Sequence, residues 1–172
     1  MTMAGQFLIA ALNADATAKV LALYRAAAAG RGGLARAPDE IDDAYVRRFL
    51  ESAARDGVSR AAFAGDGTLI AEIHALRMAS RQFAHVLTDL TVAVHPDWQG
   101  RGVGTLLFGA LIEAARTLAP PVSRIELFAR EGNAGAIRLY QRMGFRIEGR
   151  FEGRVRLSDG TVEDDIAMAI LL

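Results

Sequence analysis

A glycine-rich stretch, Gln99-Gly-Arg-Gly-Val-Gly104, follows a strand-like run and opens an apolar helical run carrying Leu106, Leu107 and Leu111. Backbone N–H groups at a helix N-terminus are unpaired and sit at the positive end of the dipole, so such a loop can hold an anion. Glycine admits a phosphate to the backbone with no Cβ in the way. Three phosphate-binding readings compete. A Walker loop ends on Gly-Lys-Ser/Thr, whereas Thr105 follows Gly104 here with no lysine between them. A dinucleotide fingerprint G-x-G-x-x-G begun at Gly100 needs glycine where Thr105 stands. What remains is Gln99-x-x-Gly102-x-Gly104, beside the plainer reading that the glycines only shape a tight strand-to-helix turn.

The elements that must position this loop follow from apolar patterning and breakers. Gln6–Leu12 reads as a short strand, and Ala16–Ala29 as a helix with Val20, Leu21 and Tyr24 on one face, broken at Gly30-Arg-Gly-Gly33. Pro38-Asp-Glu-Ile41 is expected to open a second helix, whose apolar face is Tyr45, Phe49 and Leu50. A hairpin follows, Val58–Ala64 and Thr68–Met78 around Gly65-Asp-Gly67. A polar bend at Ala79–Gln82 leads into a long strand, Phe83–His95, stopped by Pro96. The rest alternates: helix Val103–Leu118, strand Val122–Ala129, helix Asn133–Met143, strand Phe145–Leu157, turn Ser158-Asp-Gly160 and strand Thr161–Leu171. With no internal repeat and no linker, residues 1–172 read as one mixed α/β domain.

A second patterned stretch lies downstream, with Asn133, Ala136, Ile137, Leu139, Tyr140, Gly144 and Phe145 in the arrangement N-x-x-A-I-x-L-Y-x-x-x-G-F. Asn133 can cap its helix, and Gly144 allows a left-handed stop. The pair of motifs, in this order, resembles the GNAT superfamily of N-acetyltransferases, whose pyrophosphate loop reads Q/R-x-x-G-x-G/A. Glu148-Gly-Arg150, Asp159-Gly160, Asp165-Ile-Ala-Met168 and Pro38-Asp-Glu-Ile41 are similar to the bacterial amino-acid and aminoacyl branch.

The resemblance implies an α/β single-domain fold: a mixed, mostly antiparallel sheet, flanked by helices and splayed between its fourth and fifth strands, Phe83–His95 and Val122–Ala129. It implies acetyl-CoA as co-substrate, its arm paired with backbone at Val92, Ala93 and Val94. The pyrophosphate would rest on Gln99, Gly100, Arg101, Gly102, Val103 and Gly104, with Thr105 near the helix start and Asn133, Ala136 and Tyr140 completing the cofactor site. Acetyl would pass by direct attack to a primary amine, of a small molecule such as an amino acid. A protein N-terminus, an aminoacyl-tRNA, or a non-catalytic acyl-CoA-binding module are the alternatives. Tyr140 matches the family's tyrosine that protonates the leaving thiolate. A homodimer is a further expectation from the resemblance.

An amine of pKa near 10 must lose a proton before it attacks, to a carboxylate or a water chain. Asp89, Glu72 and Glu126 lie on strands, and each also reads as an ordinary solvated strand carboxylate. Alternation puts Asp89 on one face with Thr91 and Ala93, which makes it the first choice.

Composition excludes several other classes. The chain has 172 residues, no Cys, and 20 basic against 20 acidic side chains. That argues against a disulfide scaffold, thiolate metal sites, a cysteine nucleophile and a globally basic nucleic-acid binder. His74, His85 and His95 lack metal-ligand spacing, so no metal site is expected. Phe7–Leu12 is too short for a signal peptide, and no run approaches the ~20 apolar residues of a membrane span, so a cytoplasmic location is expected. Arg142, Arg146, Arg150, Arg154 and Arg156 face the acidic run Glu163-Asp-Asp165 across the last hairpin, where cross-strand pairing accounts for them; holding a substrate carboxylate or tRNA phosphate is the functional alternative.

Overall fold

In the computed structural model, which describes residues 2–4, 7–30 and 34–172, the apolar runs become eight strands and four helices. They are β1 (Thr2–Ala4), β2 (Phe7–Ala10), α1 (Thr17–Ala29), α2 (Asp43–Asp56), β3 (Val58–Phe63), β4 (Leu69–Arg77), β5 (Val86–Val94), α3 (Val103–Ala115), β6 (Arg124–Arg130), α4 (Ala134–Arg142), β7 (Arg146–Arg156) and β8 (Val162–Leu171). Gln6, expected in the first strand, and residues 31–33 of the first glycine break lie outside the described residues.

Two boundaries differ from expectation for local reasons. Pro38-Asp-Glu40 makes only a 3-10 turn, in which Glu40 folds back onto the Ala37 N–H at 2.7 Å. α2 begins later because Asp42 caps it, its carboxylate accepting the Tyr45 N–H at 2.7 Å. Phe83, expected in the long strand, belongs to a 3-10 turn, Arg81–Phe83, and β5 starts at Val86.

The sheet order is β1-β2-β3-β4-β5-β6-β8-β7, and every neighbouring pair is antiparallel except β5 and β6. That parallel pair has two rungs only, Val86↔Arg124 and Leu87↔Ile125, after which the strands diverge. The splay is thus the one expected between Phe83–His95 and Val122–Ala129. These are the fifth and sixth strands in the chain, because β1 adds an edge strand that apolar patterning did not reveal.

A β-bulge sits where the divergence begins. His74 lies opposite Thr91 and Leu76 opposite Thr88, so β5 carries an extra residue there, and Asp89 takes a left-handed φ of 51°. Asp is among the few non-glycine residues that adopt this conformation readily. A bulge bends its strand and increases its twist, which turns β5 away from β6.

Each face of the sheet has its own core. Leu107, Phe108 and Leu111 of α3 pack with Ile73, Leu87, Ile125 and Met168 on one side. On the other, Val20 and Tyr24 of α1 and Phe49 and Leu50 of α2 pack over Ala61, Leu69 and Ala93. Burying each of these larger side chains contributes roughly 1.5–3 kcal/mol. Among the described residues, no helix is long and apolar enough to cross a membrane.

Candidate active site

Below the two rungs, the gap between β5 and β6 widens into a groove of about 670 Å³. Leu90–Val94 line one wall, Phe128, Ala129 and Arg130 the other, and the turn after β5 closes one end. β5 pairs with β4 through Thr91, Val92, Ala93 and Val94, so its backbone groups on the β6 side are left to the groove.

The turn is built from three local devices. Gln99 Nε2 donates to the Val94 carbonyl at 3.2 Å, tying the turn to the strand end. Gly100 and Gly102 take φ values of 72° and 80°, which a side chain would strain. Gly102 is the N-cap of α3 and offers no capping side chain, so the first N–H groups of the helix lack a side-chain partner. The first intrahelical bond runs from the Leu106 N–H to the Gly102 carbonyl at 3.2 Å. Gly104 has a different reason to be glycine: a Cβ there would meet Leu139 Cδ2 at 3.2 Å, so it admits α4 against α3.

α4 is fixed at both ends. Asn133 caps it by accepting the Ala136 N–H at 3.2 Å. At the other end, the Phe145 N–H reaches the Tyr140 carbonyl and the Gly144 N–H the Gln141 carbonyl, both at 3.0 Å, with Gly144 at φ 97°. This is a Schellman stop. It holds Tyr140 under the groove, its ring 5.3 Å from that of Phe108 and 6.3 Å from that of Phe145. Tyr140 lines the groove at 8% exposure, and burial pushes its hydroxyl up to about 12.

The groove thus collects Val92, Ala93, Val94, Gln99, Gly100, Gly102, Val103, Gly104, Thr105, Asn133, Ala136 and Tyr140 along one lining. Two expected residues stand apart. Arg101 does not line the groove; its guanidinium lies 5.0 Å over the Trp98 ring. Asp89 is exposed at the bulge and also outside the lining, because the extra residue breaks the alternation that would have aligned it with Thr91 and Ala93.

The other carboxylates considered are occupied. Glu126 pairs with Arg124 at 3.1 Å. Glu72 is 0% exposed beneath α1 and α2, where it accepts from Tyr24 Oη at 2.5 Å and Ser59 Oγ at 3.1 Å and lies 3.2 Å from His74 Nδ1. Phe49 stacks on the His74 ring at 4.0 Å. Sequence patterning missed this buried network, and it missed Asp165, a carboxylate on β8 that does line the groove. Its signal, an acid one residue before the buried Ile166, was absorbed into the acidic run facing the arginines. Of those arginines, Arg150 pairs with Glu131 and Asp164, and Arg154 with Asp165. Among the described residues, no group of three His, Cys, Asp or Glu side chains is placed to hold a metal ion.

The sequence model of the Acetyltransferase (GNAT) family matches residues 34–145. The L-amino acid N-acetyltransferase AaaT of Escherichia coli is 31% identical over 132 residues, 77% of this chain and 78% of that protein. The mycothiol acetyltransferase of Frankia casuarinae is 48% identical over 54 residues, which are 31% of this chain and only 15% of that protein. Among solved structures, a ribosomal-protein-alanine N-acetyltransferase from Brucella melitensis superposes with a TM-score of 0.82 at 25% identity, covering 96% of this chain and 99% of that one. An acetyltransferase from Streptococcus pneumoniae gives 0.84 at 21% identity, covering 97% of this chain and 100% of that one, a likeness of fold.

Proposed function

The chain belongs to the acetyltransferase (GNAT) family, and from that premise we propose that it moves acetyl from acetyl-CoA to the primary amine of a small molecule, an amino acid foremost. The observation that carries this reading is a strand edge left open in mid-sheet that ends on a glycine turn at an uncapped helix start. These residues fit an acyl-CoA. The open edge of β5 offers amides and carbonyls to an amide-bearing arm, and the start of α3 offers N–H groups to a pyrophosphate. Two solved relatives of the same fold, from Sinorhizobium meliloti and Salmonella typhimurium, hold acetyl-CoA.

Acetyl-CoA supplies the thioester that the amine attacks directly. A β5 backbone N–H near Val92 donates to the thioester oxygen as negative charge gathers there. Tyr140 gives its proton to the departing sulfur. Gln99, Gly100 and Gly102 keep the turn open, and Asn133 and Ala136 border the arm. Arg101, anchored on Trp98, adds positive charge from the turn, outside the groove lining. Asp89 stands exposed at the bulge, outside the groove lining, so the proton of the acceptor ammonium calls for a group nearer the groove.

An amino-acid acceptor is favoured by the similarity to AaaT, which runs over three quarters of the chain. A protein N-terminal amine is the second reading, favoured by the likeness to the Brucella ribosomal-protein-alanine N-acetyltransferase. A homodimer and a cytoplasmic location belong to the same proposal and rest on family membership alone.

The test is to incubate the protein with acetyl-CoA and a panel of free L-amino acids, alanyl peptides and simple amines, following free CoA thiol. Release with free amino acids is expected. Release with alanyl peptides alone favours the second reading. CoA binding with no release across the panel means a silent binding module, and an absence of CoA binding refutes the account of the groove.

A further inference from the structure

The groove described above needs a group to take the amine's proton, and its lining contains one carboxylate among the described residues: Asp165. We propose that Asp165 is the general base of the transfer, receiving the proton of the acceptor ammonium. This assignment rests on the acetyl-transfer reading of the groove.

Asp165 is placed by β8. It lies opposite Arg130 on β6 and Phe151 on β7, and its neighbour Ile166 is turned into the core on the other face of the sheet. The residue is 8% exposed, an unusual environment for a carboxylate at ordinary cost. It lines the groove beside Phe128 and Val155. Arg154 Nη1 lies 3.5 Å from its carboxylate, farther than in a strong charge-assisted hydrogen bond. Arg154 is held in turn over the rings of Phe128 at 4.7 Å and Phe151 at 4.8 Å. The carboxylate is therefore steadied by a clamped guanidinium and retains acceptor capacity toward the groove.

The charged groups around it are Arg154 from β7, Arg130 from β6 and, along the lining, Arg142 from α4. Burial pushes the Asp165 carboxyl above the usual range, and the guanidinium charges of Arg154 and Arg130 pull it partway back. A carboxylate so raised is a stronger base than a solvated aspartate. None of the other acids has this combination. Glu72 and Glu126 are taken up in their own pairs, and Asp89 faces solvent.

Asp165 takes one proton from the acceptor ammonium, freeing the nitrogen lone pair. That pair forms the N–C bond to the acetyl carbon as the C–S bond breaks, and the sulfur takes the Tyr140 proton. The second proton shed by nitrogen returns to the Tyr140 oxygen, and Asp165 gives up its proton to water once the product leaves. Net, an ammonium and a thioester become an amide, a thiol and one released proton.

The experiment measures kcat/KM against pH for the wild type, D165N, R154Q and D89N, using the best amino acid of the panel, with CoA affinity measured separately by calorimetry. D165N is expected to lower kcat on the order of 10²–10⁴-fold and to abolish the acid limb of the profile, with CoA affinity within threefold of wild type. R154Q removes a charge that favours the ionised carboxylate, so its acid limb should move to higher pH; this reads the same group if D165N folds poorly. D165N activity within threefold of wild type with an unchanged limb overturns the assignment. So does a limb lost in D89N and kept in D165N, or an R154Q limb that stays in place. A wild type inactive with every amine sinks the transferase reading and this assignment together, whereas an active wild type with an unchanged D165N sinks the assignment alone.

Discussion

Replacing Tyr140 by Phe isolates one atom. The ring is packed between Phe108 and Phe145, with centroids 5.3 and 6.3 Å away, and phenylalanine keeps that packing. The backbone is held by the Asn133 cap and the Gly144 stop, neither of which uses the hydroxyl. The cost in stability should stay within about 1 kcal/mol, the ordinary range for one hydroxyl. The effect on turnover should be much larger. With the hydroxyl pushed up to about 12 by burial, Tyr140 is fully protonated at neutral pH. Against a thiol of pKa about 8.5, full transfer from such an acid is uphill by roughly 5 kcal/mol at 1.36 kcal/mol per unit. The proton must therefore move while the amine nitrogen is losing its own, and the tyrosine lowers the barrier only while the C–S bond is breaking. Loss of that help should lower kcat on the order of 10²–10⁴-fold, with the KM for acetyl-CoA changed by less than about threefold. Steady-state thiol release over a range of acetyl-CoA concentrations measures both. A kcat within threefold of wild type, or equal losses of turnover and CoA affinity, would show the tyrosine to be packing under the arm and refute its role as acid.

Other perturbations test separate parts of the molecule. Gly102→Ala places a Cβ at φ 80° on the glycine turn, so CoA affinity measured by calorimetry should fall at least about tenfold; an unchanged affinity would remove the turn from the proposed binding site. Glu72→Ala strands the hydroxyls of Tyr24 and Ser59 and the His74 ring in a dry interior, and urea denaturation should show a loss of about 3–5 kcal/mol. A loss below about 1 kcal/mol would mean that the network contributes little. Burial raises the hydroxyls of both Tyr140 and Tyr24, so the stability they contribute is complete below the unfolded tyrosine value near 10 and declines as pH rises through the folded values. Thermal melts should therefore drop steeply above pH 10, and less steeply in Tyr140→Phe; parallel curves would contradict the burial of that hydroxyl.

The shape of the turn and of the helix beyond it was legible because their residues act through the backbone. Gly100 and Gly102 are needed for their φ, Asn133 for a cap and Gly144 for a stop, and such local demands leave local signatures. The start of α2 was misread because Pro38-Asp-Glu40 and Asp42-Asp43 both carry helix-start chemistry, and only the capping bond of Asp42 decides between them. The extra residue at Asp89 was invisible, since a bulge depends on what lies across from it on β4. Asp165 and Glu72 were hidden for a related reason. One was counted in an acidic run and the other as a strand carboxylate, while their burial depends on strands and helices distant in the chain.

The two-rung contact between β5 and β6 makes β5 topologically central and energetically a border. Amides of Thr88–Val94 that point toward β6 lack the ladder that shields others in mid-sheet, so in solvent deuterium they should exchange far sooner than those directed at β4. An arm lying in the gap would supply the missing partners and slow that exchange. The polypeptide thus carries its own occupancy gauge, a short row of isotopic clocks that run fast when the sheet is torn and slow when a guest mends it.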